Sequence, residues 1–90
     1  MNKIHLSLVT SDGTALEKAV SYVNIPTDAG SVGVMSGHAS MLCAVKKGAV
    51  QYRCDDGPMQ SVMVGGGVAN INNNEVTLLV SMVETVDEQY

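Results

Sequence analysis

Ninety residues with a formal net charge of −4 make one domain with a single modest core. At 46% hydrophobic and 16% charged, the chain is globular rather than disordered, and its acidic balance excludes nucleic acid and anionic lipid as direct partners, since both require a basic patch. There is no Phe and no Trp, so the core is built from Val, Leu, Ile, Met and Ala, and six methionines point to adaptable or partner-facing apolar surface.

The N-terminal Met1-Asn2-Lys3-Ile4-His5 is no signal peptide, having one charge, a short apolar run and no cleavage site. Ile4, Leu6 and Leu8 alternate with Lys3, His5 and Ser7, the period of a strand with one wet face. Thr10-Ser11-Asp12-Gly13 turns, and Asp-Gly supplies the positive φ. Ala15 to Ile25 reads as an extended segment bent or bulged near Lys18 or Ser21. Pro26 is expected to end it, because proline cannot donate to a ladder. Thr27-Asp28-Ala29-Gly30 turns, and Val32-Gly33-Val34 is a short strand whose glycine marks a bulge or a close backbone approach.

From Gly30 to Leu42 no single period holds throughout, and Ser36 to Leu42 reads as a loop. Cys43-Ala44-Val45 extends, and Lys46-Lys47-Gly48 turns. Val50, Tyr52 and Cys54 then alternate with Gln51 and Arg53, the clearest amphipathic strand in the chain. Asp55-Asp56-Gly57-Pro58 is a hairpin turn, and Met59 to Val64 returns antiparallel. Gly65-Gly66-Gly67 bends the chain, Val68 to Ile71 extends, Asn72-Asn73-Asn74 turns, and Glu75 to Val80 extends again. No window reads as an amphipathic helix. The expectation is an all-β domain, an eight- to ten-stranded β-sandwich or flattened barrel over residues 1–83, followed by a loosely held acidic tail at 84–90. No apolar run approaches the roughly 20 residues of a membrane span, so a membrane is met only through a partner.

The chemistry of a reactive site is hard to find. His5 sits at a wet strand position. His38 has no Ser, Cys or Asp arranged to use it as a base, and reads as loop-shaping or interfacial. Cys43 and Cys54 match no zinc spacing. A disulfide between them is possible, but without a secretion signal two free thiols are the expected state. Gly65-Gly66-Gly67 lacks the Lys-Ser/Thr and the helix of a phosphate loop, and Ser36-Gly37-His38 is no nucleophile elbow. Asp55-Asp56 is a solvated turn. No cofactor and no metal are expected, and the chain does not read as an enzyme. What remains is apolar: Met35, Met41 and Leu42 with the Gly65–Gly67 bend either complete the core or form a binding face.

A family is carried by the order and spacing of Lys3-Ile4-His5-Leu6, Val23-Asn24-Ile25-Pro26, Gly30-Ser31-Val32-Gly33-Val34, Gly37-His38-Ala39 with Leu42, Lys46-Lys47-Gly48, Gly65-Gly66-Gly67-Val68-Ala69-Asn70-Ile71 and Asn74-Glu75-Val76-Thr77-Leu78-Leu79. The string resembles, over essentially its whole length, the N-terminal β-sandwich domain of the epsilon subunit of rotary ATP synthases, called delta in mitochondria. That family's loop runs Gly-x-x-Gly-(Ile/Val)-x-Pro-Gly-His-Ala-Pro-(Leu/Met)-Leu. The resemblance implies a non-catalytic rotor subunit at the foot of the central stalk, clamping the gamma subunit and resting on the ring of c subunits. It would work on the cytoplasmic side of the bacterial inner membrane and help pass ion-driven rotation to ATP synthesis or hydrolysis. By the same resemblance Thr10, His38, Ala39, Met41, Leu42, Cys43 and Gly65 face gamma, and Asp28, Ala29, Gly30 and Ser31 face the ring.

There are departures. Ser36 and Ser40 replace the loop's prolines, which implies a more flexible loop. Ser31 stands where many members have a Glu that meets the ring, so Asp28 takes that charge or the contact is uncharged. The chain stops where the family continues into a C-terminal helical hairpin, which implies a naturally short or trimmed subunit without the ATP-binding, inhibitory element. The alternative function is a free-standing β-sandwich interaction or regulatory domain.

Overall fold

A computed structural model of the chain describes residues 3–37, 40–55 and 57–85. They form two five-stranded sheets. The first, sheet A, runs β2 (Gly13–Val20), β1 (Ile4–Thr10), β9 (Glu75–Val80), β8 (Gly67–Asn72), β5 (Met41–Val45). The second, sheet B, runs β10 (Val83–Thr85), β7 (Gln60–Val64), β6 (Gly48–Arg53), β3 (Tyr22–Thr27), β4 (Gly30–Met35). Every pairing is antiparallel except β1 with β9, which are parallel.

Period-two patterning places the core. Ile4, Leu6 and Leu8 of β1 turn inward with Ile71, Val76 and Leu78 of sheet A, against Val23, Ile25, Val50 and Val62 of sheet B. The chain changes sheets at two of the expected bends. At Ser21 it leaves β2 for β3, and the bend is fastened by the Ser21 backbone N–H, which donates to the Arg53 carbonyl at 2.8 Å. At Gly65-Gly66 it leaves β7 for β8. Here glycine is required by space. A Cβ on Gly65 would overlap Ser81 Oγ, and one on Gly67 would overlap the Leu79 carbonyl oxygen and sit 2.7 Å from Val80 Cα.

Several sequence expectations are corrected. Pro26 does not end β3, which continues to Thr27 paired with β4. The pairing of β3 with β6 already stops at Asn24, and the Pro26 carbonyl faces away from β4 to accept from Lys46 N–H at 2.9 Å. The N–H that proline lacks would have pointed the same way, so the β4 ladder loses nothing. The bulge lies at Ala15, where the β1–β2 register shifts between Leu8 and Val9, rather than near Lys18. Of the two alternatives left open at Gly33, the structure shows the close approach: a Cβ there would be 2.9 Å from the Tyr22 hydroxyl. The stretch from Gly30 is regular strand as far as Met35, and β5 starts at Met41 rather than Cys43. The last strand carries Glu84 and Thr85, whose backbone pairs with Met63 and Val62 on β7, past the boundary expected at residue 83.

Among the described residues Tyr52 is the one aromatic side chain of the core. Its hydroxyl donates to Gln60 Oε1 at 3.3 Å. Burial holds its pKa above the ordinary tyrosine value, and the nearby Cys54 thiolate charge pushes the same way. In the unfolded chain Tyr52 ionises near the ordinary tyrosine value of 10.0. The stability held by the neutral phenol is therefore full below that pH and falls as pH rises above it. Tyr52→Phe should lose about 1 kcal/mol at neutral pH from the missing hydrogen bond, and its unfolding midpoint should fall less steeply in alkali than the parent's. Denaturant melts across that range check both.

Candidate interface on the outer face of sheet A

Alternation leaves one side of each sheet facing out. On sheet A the outward positions are in register across four strands. Ala44 of β5 is opposite Val68 of β8, Val68 is opposite Leu79 of β9, and Leu79 is opposite Val9 of β1. Side chains so paired lie roughly 5 Å apart. The result is an apolar row in which Leu79 is 54% and Val68 41% exposed. In the next row Leu42, 70% exposed, stands beside Asn70, Thr77 and Ser7. A row of large apolar side chains in water is stable only as a tolerated cost or as a surface meant to be covered.

The residues singled out from sequence fall in three places. Leu42 is on this outer face. Met41 and Cys43, on the same strand, point to the opposite side, and Cys43 is half-buried against the core. Thr10 and Gly65 lie at one end of the sandwich. Thr10, on β1, is three strand spacings from β5, or ~14 Å across the sheet, whereas Gly65 lies near the end of β5, since a Cβ on its neighbour Gly66 would sit 3.4 Å from the Val45 carbonyl. Thr10, half-buried, accepts from the Asp12 backbone N–H at 3.2 Å and shares a surface depression with Ser81 and Met82. Gly65 is buried, and its N–H donates to the Met82 carbonyl at 3.0 Å. The surface above Gly65 is therefore that of Ser81 and Met82. His38 and Ala39 lie outside the described residues.

Asp28, Ala29, Gly30 and Ser31 form the exposed tip and outgoing edge of the β3–β4 turn, at that same end of the sandwich. The buried Thr27 hydroxyl shapes the turn. It donates to the Gly30 carbonyl and accepts from Ala29 N–H at 3.2 Å, and Gly30 takes φ 113°. The bond between Lys46 N–H and the Pro26 carbonyl fastens the β5–β6 turn beside it.

Ser36 and Ser40 are held by asparagine side chains of the β8–β9 hairpin. Ser36 Oγ and Gly37 N–H both donate to Asn74 Oδ1, at 3.2 and 3.1 Å, and Ser40 Oγ donates to Asn72 Oδ1 at 3.3 Å. Sequence reasoning read the prolines' absence as freedom and missed these anchors. It also missed Val9, Val68 and Leu79. The signal was available: Leu8-Val9, Val68-Ala69 and Leu78-Leu79 are apolar pairs on strands that otherwise alternate, so one member of each must face out.

His5 Nε2 and Glu17 Oε2 are 3.0 Å apart on the solvent side of β1 and β2, both about half exposed. Among the described residues no three His, Cys, Asp or Glu side chains gather as a metal ion requires.

The chain is thus a β-sandwich domain with an apolar row on one outward sheet face. The sequence pattern of the ATP synthase delta/epsilon chain β-sandwich domain matches residues 3–86. Curated ATP synthase epsilon chains agree. That of Lawsonia intracellularis is 32% identical over 85 residues, 94% of this chain and 63% of its own. That of Campylobacter fetus is 36% identical over 80 residues, 89% of this chain and 62% of its own. A chain of the Euglena gracilis mitochondrial ATP synthase superposes on all of this chain and 57% of its own length with a TM-score of 0.89, at 23% identity, a likeness of fold. This chain belongs to the delta/epsilon β-sandwich family of ATP synthase. It spans about three fifths of the length of the first curated relatives it matches.

Proposed function

We propose that this sandwich is the docking portion of a non-catalytic central-stalk subunit. Sheet A's outer face clamps the gamma subunit, and the Asp28–Ser31 turn rests on the ring of c subunits, on the cytoplasmic side of a bacterial membrane. The observation that carries this reading is the in-register apolar row of Ala44, Val68, Leu79 and Val9 with Leu42 beside it. A rotor protein would cover such a row permanently, and a close-packed sandwich transmits force without yielding. The β3–β4 turn carries Asp28, and the β5–β6 turn fastened beside it carries Lys46 and Lys47, so the ring-facing contact is polar and mixed in charge. Thr10 and Met82 extend the gamma-facing surface toward that end.

Titrating the chain with the gamma subunit of the same organism's ATP synthase tests the reading. The expected result is a one-to-one complex at micromolar affinity or better, burying roughly 1,600 Å² in total. A folded chain that leaves gamma unbound at high concentration sinks it.

A further inference from the structure

The two sheets end on four edges, β2, β5, β10 and β4. Three carry devices that discourage pairing with another chain. Strand β2 has Glu17, Lys18 and the bulge at Ala15. Strand β10 is three residues long and carries Glu84. Strand β4 is weakened by Gly30 and Gly33, the latter under the Tyr22 ring. Strand β5, Met41-Leu42-Cys43-Ala44-Val45, has no charge, no glycine, no proline and no bulge.

Its free hydrogen-bonding groups can be assigned. Just past β5, Lys46 N–H points away from β8 and reaches the Pro26 carbonyl. Backbone groups alternate along a strand, so Leu42 and Ala44 also turn their N–H and C=O to the open side, while Met41, Cys43 and Val45 serve β8. Among the described residues no backbone group bonds Leu42 or Ala44 from that side.

We propose that two copies of this chain pair edge to edge through antiparallel β5 strands, with Cys43 on the two-fold axis, whenever no other partner occupies that edge. In this register Leu42 of each copy faces Ala44 of the other. Each pair exchanges two N–H to C=O bonds, so all four open groups on each strand are used. The Leu42 side chain, the most exposed large apolar group described, gains apolar cover from the second copy. The two Cys43 residues form a non-hydrogen-bonded pair, whose Cα atoms lie about 4.5 Å apart, within the span a disulfide bridges. One five-residue edge buries less than the roughly 1,200 Å² of a stable interface, so the pairing is weak and depends on concentration. The proposal goes beyond the docking function and does not depend on it.

Oxidation with diamide at near-millimolar protein tests the register. Diamide takes two electrons and two protons from two thiols and becomes a hydrazine, leaving one S–S bond. The parent and Cys54→Ser should form a disulfide-linked dimer, and Cys43→Ser should not. Ala44→Pro removes an N–H the β8 ladder does not use, so it should melt like the parent yet cross-link at least ten times more slowly. Leu42→Lys, a charge on the same edge, should do likewise. Cross-linking that survives in Cys43→Ser, equal rates in a folded Ala44→Pro or Leu42→Lys, or a reduced parent that sediments as a monomer at near-millimolar concentration and does not cross-link would each overturn the proposal.

Discussion

Gly67→Ala should destabilise the domain by about 3 kcal/mol and lower its melting temperature by roughly 12–20 °C. Gly67 opens β8 directly opposite Val80 of β9. The added methyl would overlap the Leu79 carbonyl oxygen and crowd Val80 Cα, and both obstacles are main chain of the central strand β9. A flexible side chain could move aside. A strand hydrogen-bonded on both edges moves only by giving up ladder bonds. For a domain of this size, stability near the low end of about 5–15 kcal/mol leaves little reserve. Gly66→Ala is the matched control, because its methyl would meet only the Val45 carbonyl at 3.4 Å. It should cost under about 1 kcal/mol. A thermal melt of both variants decides the matter. Equal, small losses would mean that the close approach of β8 to β9 does not exist.

That crowding was half visible in the sequence. Three consecutive glycines announce that the chain must bend or pass close to something, and they do not say which glycine does what. In the fold Gly65 and Gly66 span the change of sheet, and Gly67 is already strand. Alternation was the more reliable guide. Val50 and Tyr52 of β6, and Ile4, Leu6 and Leu8 of β1, turned inward as their period required. Alternation tells which face of a strand is wet and is silent about its neighbours. So the parallel pairing of β1 with β9, seventy residues apart, could not be read from it. Pro26 misled because the rule against proline in a ladder concerns the side on which the N–H points. That side was fixed by where β6 stops pairing, a long-range fact.

The candidate interface was legible for a narrower reason. Leu42 stood out because it follows an irregular segment, and the fold leaves it as the most exposed large apolar residue described. Met41 and Cys43 were grouped with it by adjacency in sequence, and a strand sends adjacent residues to opposite faces. Leu79 and Val68 were passed over because each sits beside a core residue in a continuous apolar run. Only the pairing register shows that their faces coincide with those of Ala44 and Val9.

If this row is the gamma-docking face, Leu42→Asp and Leu79→Asp should each weaken gamma binding about 100-fold or more while the domain stays folded. Both side chains are more than half exposed, so the free domain tolerates the carboxylate. The cost there is at most about 1 kcal/mol of strand propensity. In the complex the same carboxylate would be sealed against apolar partner surface with no counter-ion. An uncompensated buried charge costs about 3–5 kcal/mol, and each 1.4 kcal/mol is tenfold in affinity. Leu42 and Leu79 are two strands apart, or ~10 Å across the sheet, so their effects should add and the double variant should show no measurable complex. Gln51→Asp is the control, since Gln51 is exposed on the outer face of sheet B. It should bind like the parent. The pattern of the three variants locates the docking face whatever the parent's affinity. Loss in both leucine variants with Gln51→Asp unaffected places gamma on sheet A. The reverse pattern moves it to sheet B and leaves the apolar row to another partner.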